Sequence, residues 1–246
     1  MLKEPTMEKL TTMKLTGMMT AWEEQQEDPK LQKLSFDERL GMLVEAEWTS
    51  RETRRLERAL RTAKLKLSQA CVEDVECGPR RGLERPLLSQ LRKCRWVQEH
   101  QNIVITGATG TGKTYVGCAL AHQACRHGHK ALYKRAVRLF DELHLAKAAG
   151  TYTRALTKIA RIDVLVIDDW ALTPIREQER QDLLEVLEDR YGTKSTIIIG
   201  QLPPNKWHAY IKEPTIADAI CDRVLHNAHR IVLKGPSRRK EATSKK

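Results

Sequence analysis

From residue 101 onward, short continuous apolar runs alternate with amphipathic stretches. Ile103-Val-Ile105, Val164-Leu-Val-Ile167 and Ile197-Ile-Ile199 lack the alternation of a strand with one wet face, so they read as strands covered on both sides. The pattern predicts strands at 103–106, 131–136, 163–168, 196–200 and 230–233. Helices are expected at 113–127, 137–148, 152–160, 177–190 and 215–226. Strands and helices in alternation imply a doubly wound α/β domain, a parallel five-stranded sheet flanked by helices.

The first 67 residues pattern differently. Leu10, Met13 and Leu15 to Met18 give an apolar helical face that Asp28-Pro29 breaks. Ser35-Phe-Asp-Glu38 is a capping-box signature opening a second helix. On it, Leu40, Leu43, Val44 and Trp48 are spaced for one buried stripe. Gly78-Pro79 and Gly82 punctuate the transition that follows, with one short helix expected over 83–96. The predicted division is a small helical N-terminal domain (1–67), a linker (68–100) and the α/β domain (101–246).

The length, 246 residues, allows one substantial core and an appendage. Charge sharpens the picture more. Within 51–67, Arg51, Arg54, Arg55, Arg58, Arg61, Lys64 and Lys66 face only Glu52 and Glu57. Within 234–246, Lys234, Arg238, Arg239, Lys240, Lys245 and Lys246 face only Glu241. These two segments carry most of the formal charge of +11, which points to a polyanion partner. Arg51, Arg54, Arg55, Arg58 and Arg61, with Lys64 beyond them, follow helical spacing and form a candidate surface for duplex phosphates. Aromatic residues make up 5% of the chain and do not interleave with the bases, which argues against a single-strand stacking platform. A solvated helix with internal Glu–Arg pairs is the alternative.

No stretch approaches the ~20 apolar residues that cross a bilayer, and Met1-Leu-Lys-Glu-Pro lacks the apolar region of a signal peptide. A cytoplasmic location is expected. Cysteines 71, 77, 94, 118, 125 and 221 form no Cys-x₂-Cys pair, so Cys118 and Cys125 read as buried small residues. His226 and His229 lack a carboxylate companion for a zinc site.

Directly after the first predicted strand comes Gly107-Ala108-Thr109-Gly110-Thr111-Gly112-Lys113-Thr114, a complete phosphate-binding loop. Its glycines allow the backbone to wrap a di- or triphosphate, with amides pointing inward and a helix N-terminus behind them. Lys113 is placed for the β- and γ-phosphates of ATP, Thr114 for Mg²⁺, and Tyr115 follows in the binding segment. The strand ending in Asp168-Asp169 supplies the second element. Asp168 is the candidate Mg²⁺ ligand, and Asp169 the group that orients or deprotonates the attacking water. Gln201 closes the strand at 196–200. If that strand lies between the other two, Gln201 faces the γ-phosphate and can sense it.

The loop, Ile167-Asp-Asp-Trp170, Asp189-Arg-Tyr-Gly192, Gln201-Leu-Pro203, Ala217-Asp-Ala-Ile220, Asp222-Arg223 and His226-Asn-Ala-His-Arg230 together closely resemble the IstB-type ATPases. These are AAA+ helpers of IstA-type transposases, related to bacterial helicase loaders, and the resemblance covers nearly the whole chain. It implies a Mg²⁺-dependent ATPase that oligomerises on duplex DNA and recruits and stimulates a transposase. It further implies that Arg223 is an arginine finger offered to the ATP of a neighbouring subunit. Arg239 would be a second sensor touching nucleotide in its own subunit. Two positions depart from the family's usual pattern: Ala171 stands in place of glycine, and Gly200 in place of serine. Only thirteen residues follow 233, so a rudimentary lid is expected. A helicase loader shares every ATPase motif and stays open as the alternative; a small-molecule P-loop kinase would leave the basic stripe unexplained.

Overall fold

The computed structural model describes residues 3–237. Contacts group the chain up to Arg58 into one unit and the chain from Ala59 into another. The first holds α1 (Lys3–Thr12), α2 (Thr16–Glu27) and most of α3 (Phe36–Ala63). The apolar face expected to run unbroken to Asp28 is split, because Lys14 turns at φ +58°. Leu15 then opens α2 without a side-chain cap. Its orphan amides are served instead by Glu47 of α3, which accepts from Gly17 N at 2.8 Å and Met18 N at 3.2 Å. A carboxylate there also suits the positive end of the helix dipole. Gly17 makes this approach possible, since a Cβ would lie 2.5 Å from the Ala46 carbonyl oxygen.

The capping box at the start of α3 forms as expected, with Ser35 N and Oγ donating to Glu38 and Glu38 N donating to Ser35 Oγ. The buried stripe does not. Leu40, Val44 and Trp48 are 42%, 53% and 66% exposed, and Leu43 is half-buried. The helix turns its Ala46, Glu47 and Ser50 side to α2, where small residues permit contact at backbone distance. Close approach has outweighed side-chain hydrophobicity. α3 stops at Ala63, and Lys64 takes φ +51°.

In the second unit, Ala70, Val72, Leu83, Leu91 and Trp96 are buried. The helix expected over 83–96 is two pieces, α4 (Arg85–Arg92) and α5 (Arg95–Gln98), parted by Cys94 at φ +56°. There follow β1 (Asn102–Gly107), α6 (Lys113–Arg126), β2 (Ala131–Arg135), α7 (Ala136–Ala148), α8 (Tyr152–Ala160) and β3 (Val164–Trp170). The chain continues through α9 (Glu177–Glu188), β4 (Ser195–Gly200), α10 (Trp207–Ile211), α11 (Pro214–Leu225) and β5 (Ala228–Leu233).

The strands form one parallel sheet in the order β2-β3-β4-β1-β5. This is the architecture the apolar runs predict. Ile103, Ile105, Leu165, Ile167, Ile197, Ile198 and Ile199 are fully buried, as strands covered on both faces require. Trp170 ends β3 edge-on to Trp207, with centroids 5.6 Å apart, and to Tyr210 at 5.3 Å. Arg190 is buried outright and ties α8 and the turn after it to β4, donating to Ile159 O, Ile162 O, Ser195 O and Thr196 Oγ1. Burial pushes its pKa down to about 9, so at neutral pH it remains charged. Cys118 and Cys125 are buried free thiols, and desolvation raises both pKa values, Cys125 to about 11. Among the described residues no helix is long and apolar enough to cross a membrane.

Candidate functional site: a phosphate loop at the switch point of the sheet

β4 lies between β1 and β3, so the carboxyl ends of three strands open onto one crevice. The loop from Gly107 to Gly112 leaves β1 and feeds α6. Gly107, Gly110 and Gly112 take φ of +147°, +86° and +91°, values that side-chain-bearing residues adopt only with strain. A Cβ on Gly107 would lie 2.3 Å from Leu233 O, and one on Gly110 2.1 Å from Ser237 Oγ. The described chain therefore ends packed against the loop. Thr111 Oγ1 donates back to Ala108 O at 2.8 Å, and Lys113 Nζ donates to Gly107 O and Ala108 O at 2.9 and 2.8 Å.

The resulting cavity, of about 480 Å³, is lined by Thr109, Gly110, Gly112, Lys113, Thr114 and Tyr115 from the loop and α6. Asp168, Asp169, Trp170 and Gln201 close it from β3 and β4, and Lys66 and Leu67 form another wall. Most of the expected nucleotide-binding residues line this space together with Asp168, Asp169 and Gln201, the last exposed at its rim, whereas Gly107, Ala108 and Thr111 of the loop are not part of its lining.

Asp168 is the centre of the polar network. It is 1% exposed, yet both oxygens are engaged. Oδ2 accepts from Thr114 Oγ1 at 2.8 Å and from Tyr133 OH at 2.7 Å; Oδ1 accepts from Asp169 N at 2.7 Å. Burial and this carboxylate together drive the Tyr133 pKa far up, so the phenol stays a donor. A hydroxyl and a carboxylate side by side are the hard oxygen donors that Mg²⁺ takes from protein when phosphates supply others. Asp169 sits at φ +57° and Ala171 at φ +59°, a pair of left-handed residues that re-aims the chain as it leaves the sheet. Glycine suits the second position best, because it takes a positive φ without strain. Gly200 is constrained too, since a Cβ would lie 2.7 Å from Trp170 O.

Three features had no signal in the sequence. Arg135, at the end of β2, donates from Nε to Asp169 Oδ2 at 2.7 Å, and that bond raises the Arg135 pKa. Tyr133 reaches Asp168 only because β2 pairs with β3. Arg81 donates from Nη2 to the loop carbonyl of Thr111 at 2.8 Å.

Arg223 is not in this cavity. On α11 it pairs with Glu188 and donates from Nη1 to Ala219 O at 3.0 Å. Its neighbours in a separate cleft include His100, Asn102 and Tyr191. Arg239 lies outside the described residues. His229 is bonded to Gln101 at 2.7 Å; no cluster of three or more His, Cys, Asp or Glu suited to a metal occurs among the described residues. In the helical unit, Arg51, Arg54, Arg55 and Arg58 line one shallow, open recess with Met13 and Lys14. Arg51 and Arg54 pair with Glu47, and Arg55 with Glu52, so part of the stripe is internally neutralised. Arg61 and Lys64 fall in the second unit.

A model of the IstB-like ATP binding protein family matches residues 8–246. The chain belongs to this family. An IstB-like relative in Sinorhizobium fredii (strain NBRC 101917 / NGR234), described as the insertion sequence ATP-binding protein y4pL, is 48% identical over 245 residues, spanning 100% of both chains. The insertion sequence IS1162 ATP-binding protein of Pseudomonas fluorescens is 45% identical over 203 residues, 82% of this chain and 88% of its own. Among solved structures, DnaI gives a TM-score of 0.58 at 19% identity, covering 72% of this chain and 94% of that one. The DnaC helicase loader gives 0.56 at 19%, covering 67% and 97%. At that identity the likeness fixes the fold alone, the AAA+ P-loop fold. This chain is accordingly an IstB-like ATP binding protein with that fold.

Proposed function

We propose that the chain is a Mg²⁺-dependent ATPase that assembles on duplex DNA when ATP is bound, and there recruits and stimulates an IstA-type transposase. The observation that carries this reading is the composition of the cavity wall. It holds two lysines, two aspartates and a glutamine, but among the described residues no arginine. Phosphoryl transfer spreads charge over the γ-phosphate oxygens, and a guanidinium there is worth ~10³–10⁵ in rate. A site built without one is completed from outside, and Arg223, which lies on α11 away from this cavity, is the candidate.

In this mechanism Lys113 leaves the loop carbonyls for the β- and γ-phosphates. Thr114 and Asp168 would hold Mg²⁺, which would offset the negative charge of the phosphates. Asp169 accepts the proton of the attacking water, and Gln201 donates to the γ-phosphate from the end of β4. Arg223 reaches the ATP of the adjacent subunit, so hydrolysis depends on assembly. Arg239, following the segment that packs on Gly110, contacts nucleotide in its own subunit. Residues 1–67 act as the DNA- and partner-binding part, with Arg51, Arg54, Arg55, Arg58, Arg61 and Lys64 on duplex phosphates. The chain works in the cytoplasm.

Sedimentation with duplex and single-stranded DNA of arbitrary sequence, each in ATP and in ADP, tests the reading. Large complexes on duplex only with ATP support it. A small species without duplex dependence, or one preferring single strands, refutes it in favour of a helicase loader. Arg223→Ala should abolish hydrolysis and spare nucleotide binding, and mixing it with Lys113→Ala should restore turnover in trans.

A further inference from the structure

The phosphate loop is held from behind by a residue that no motif includes. Between α3 and α4, Gly78 N donates to Leu83 O at 2.8 Å, closing a small loop with Arg81 near its tip. Gly82, at φ +70°, lets this loop press on β5: a Cβ would stand 2.0 Å from Val232 O. The backbone seals the contact, with Lys234 N donating to Arg81 O at 2.9 Å. The Arg81 side chain, 16% exposed, then spans two segments. Nη2 donates to Thr111 O at 2.8 Å, Nη1 to Lys234 O at 3.3 Å, and Nε lies 4.0 Å from Glu76.

The Thr111 carbonyl and the Gly112 N–H belong to one planar trans peptide, so they point in opposite directions. Fixing the carbonyl outward therefore fixes the amide of Gly112, a residue lining the cavity, on the inward side where loop amides meet phosphate. A charged donor on the oxygen also polarises the peptide and makes its N–H a stronger donor. We infer that Arg81 is a positioning residue for nucleotide: it presets and polarises the 111–112 peptide of the phosphate loop, and links that peptide to the segment leaving β5. The inference rests on the ATP-binding reading of the loop but not on hydrolysis or assembly.

Titration of the full-length protein with ADP in the presence of Mg²⁺ tests it without recourse to turnover. Arg81→Ala should weaken ADP binding about tenfold, the size of one charge-assisted hydrogen bond. Arg81→Lys, which keeps a cationic donor, should recover at least half of that loss on a logarithmic scale. The melting midpoints of the two nucleotide-free variants should agree within about 2 °C, so that the difference in affinity does not follow a difference in stability. Unaltered ADP affinity in Arg81→Ala overturns the inference. So does an Arg81→Lys protein as weak as the alanine variant, or a loss that merely follows a lowered melting midpoint. Failure of the unsubstituted protein to bind ADP would instead overturn the nucleotide-site reading itself.

Discussion

Arg135 Nε donates to Asp169 Oδ2 at 2.7 Å, joining the last residue of β2 to the acid near the end of β3 that we propose activates water. The guanidinium occupies the Asp169 oxygen that would otherwise receive water, so this contact restrains the site while it lasts. The pair is partly exposed, 48% and 28%, and such pairs control about 0.5–1 kcal/mol. Arg135→Ala should therefore raise basal phosphate release about two- to fivefold. Asp169→Asn should lower turnover about 10²-fold or more with ATP binding retained, the scale of a lost general base. Unchanged turnover in Asp169→Asn would remove Asp169 from the water-activating role.

Tyr133→Phe tests the buried end of the network. The substitution deletes the donor at 2.7 Å from Asp168 Oδ2 and leaves Thr114 and the Asp169 amide in place. The expected cost is about 1–2 kcal/mol of stability, since a buried acceptor loses a partner. Chemical denaturation measures it, and no change would mean that the phenol contributes nothing to holding Asp168.

Ala171, just after β3, and Gly200, at the end of β4, make opposite predictions. Ala171→Gly relieves a positive φ and should stabilise the second unit by about 0.5–1 kcal/mol. Gly200→Ser places a Cβ 2.7 Å from Trp170 O and should cost about 1–3 kcal/mol. Thermal melting of the two variants should move in opposite directions; a shift in the same direction would show that the local backbone adjusts freely.

The helical unit should be acid-sensitive through Glu47. Burial tends to raise its pKa, but the Arg51 guanidinium and the amides of Met18 and Gly17 hold it below the ordinary value. A group depressed in the folded state contributes stability above its unfolded pKa, and that contribution fades as pH falls through the folded one. Protection of the α2 amides in hydrogen exchange should thus drop below about pH 4.5, near the unfolded carboxylate value. Glu47→Gln should flatten the dependence and lose about 1–3 kcal/mol of local stability at neutral pH, as expected when a charged hydrogen-bond partner is lost.

Strand positions, sheet class and most of the residues lining the cavity were legible in the sequence because each rests on local rules. Continuous apolar runs identify doubly covered strands, and the glycines of 107–112 identify a loop whose φ values only glycine takes easily. The position of β4 between β1 and β3, which brings Gln201 to the loop, could be posed from sequence only as a condition. What tertiary structure alone decided are contacts between residues far apart in the chain. Arg135 meets Asp169 and Tyr133 meets Asp168 through strand pairing, and Arg81 meets Thr111 through a loop pressed on β5. The buried side of α3 was misjudged for the same reason. Periodicity gave Leu40, Val44 and Trp48 the inward face, whereas the approach of Gly17 to the Ala46 backbone, and Glu47 at uncapped amides, turned the helix otherwise. Sequence records what each residue can do locally; which groups face one another depends on packing that no short window contains.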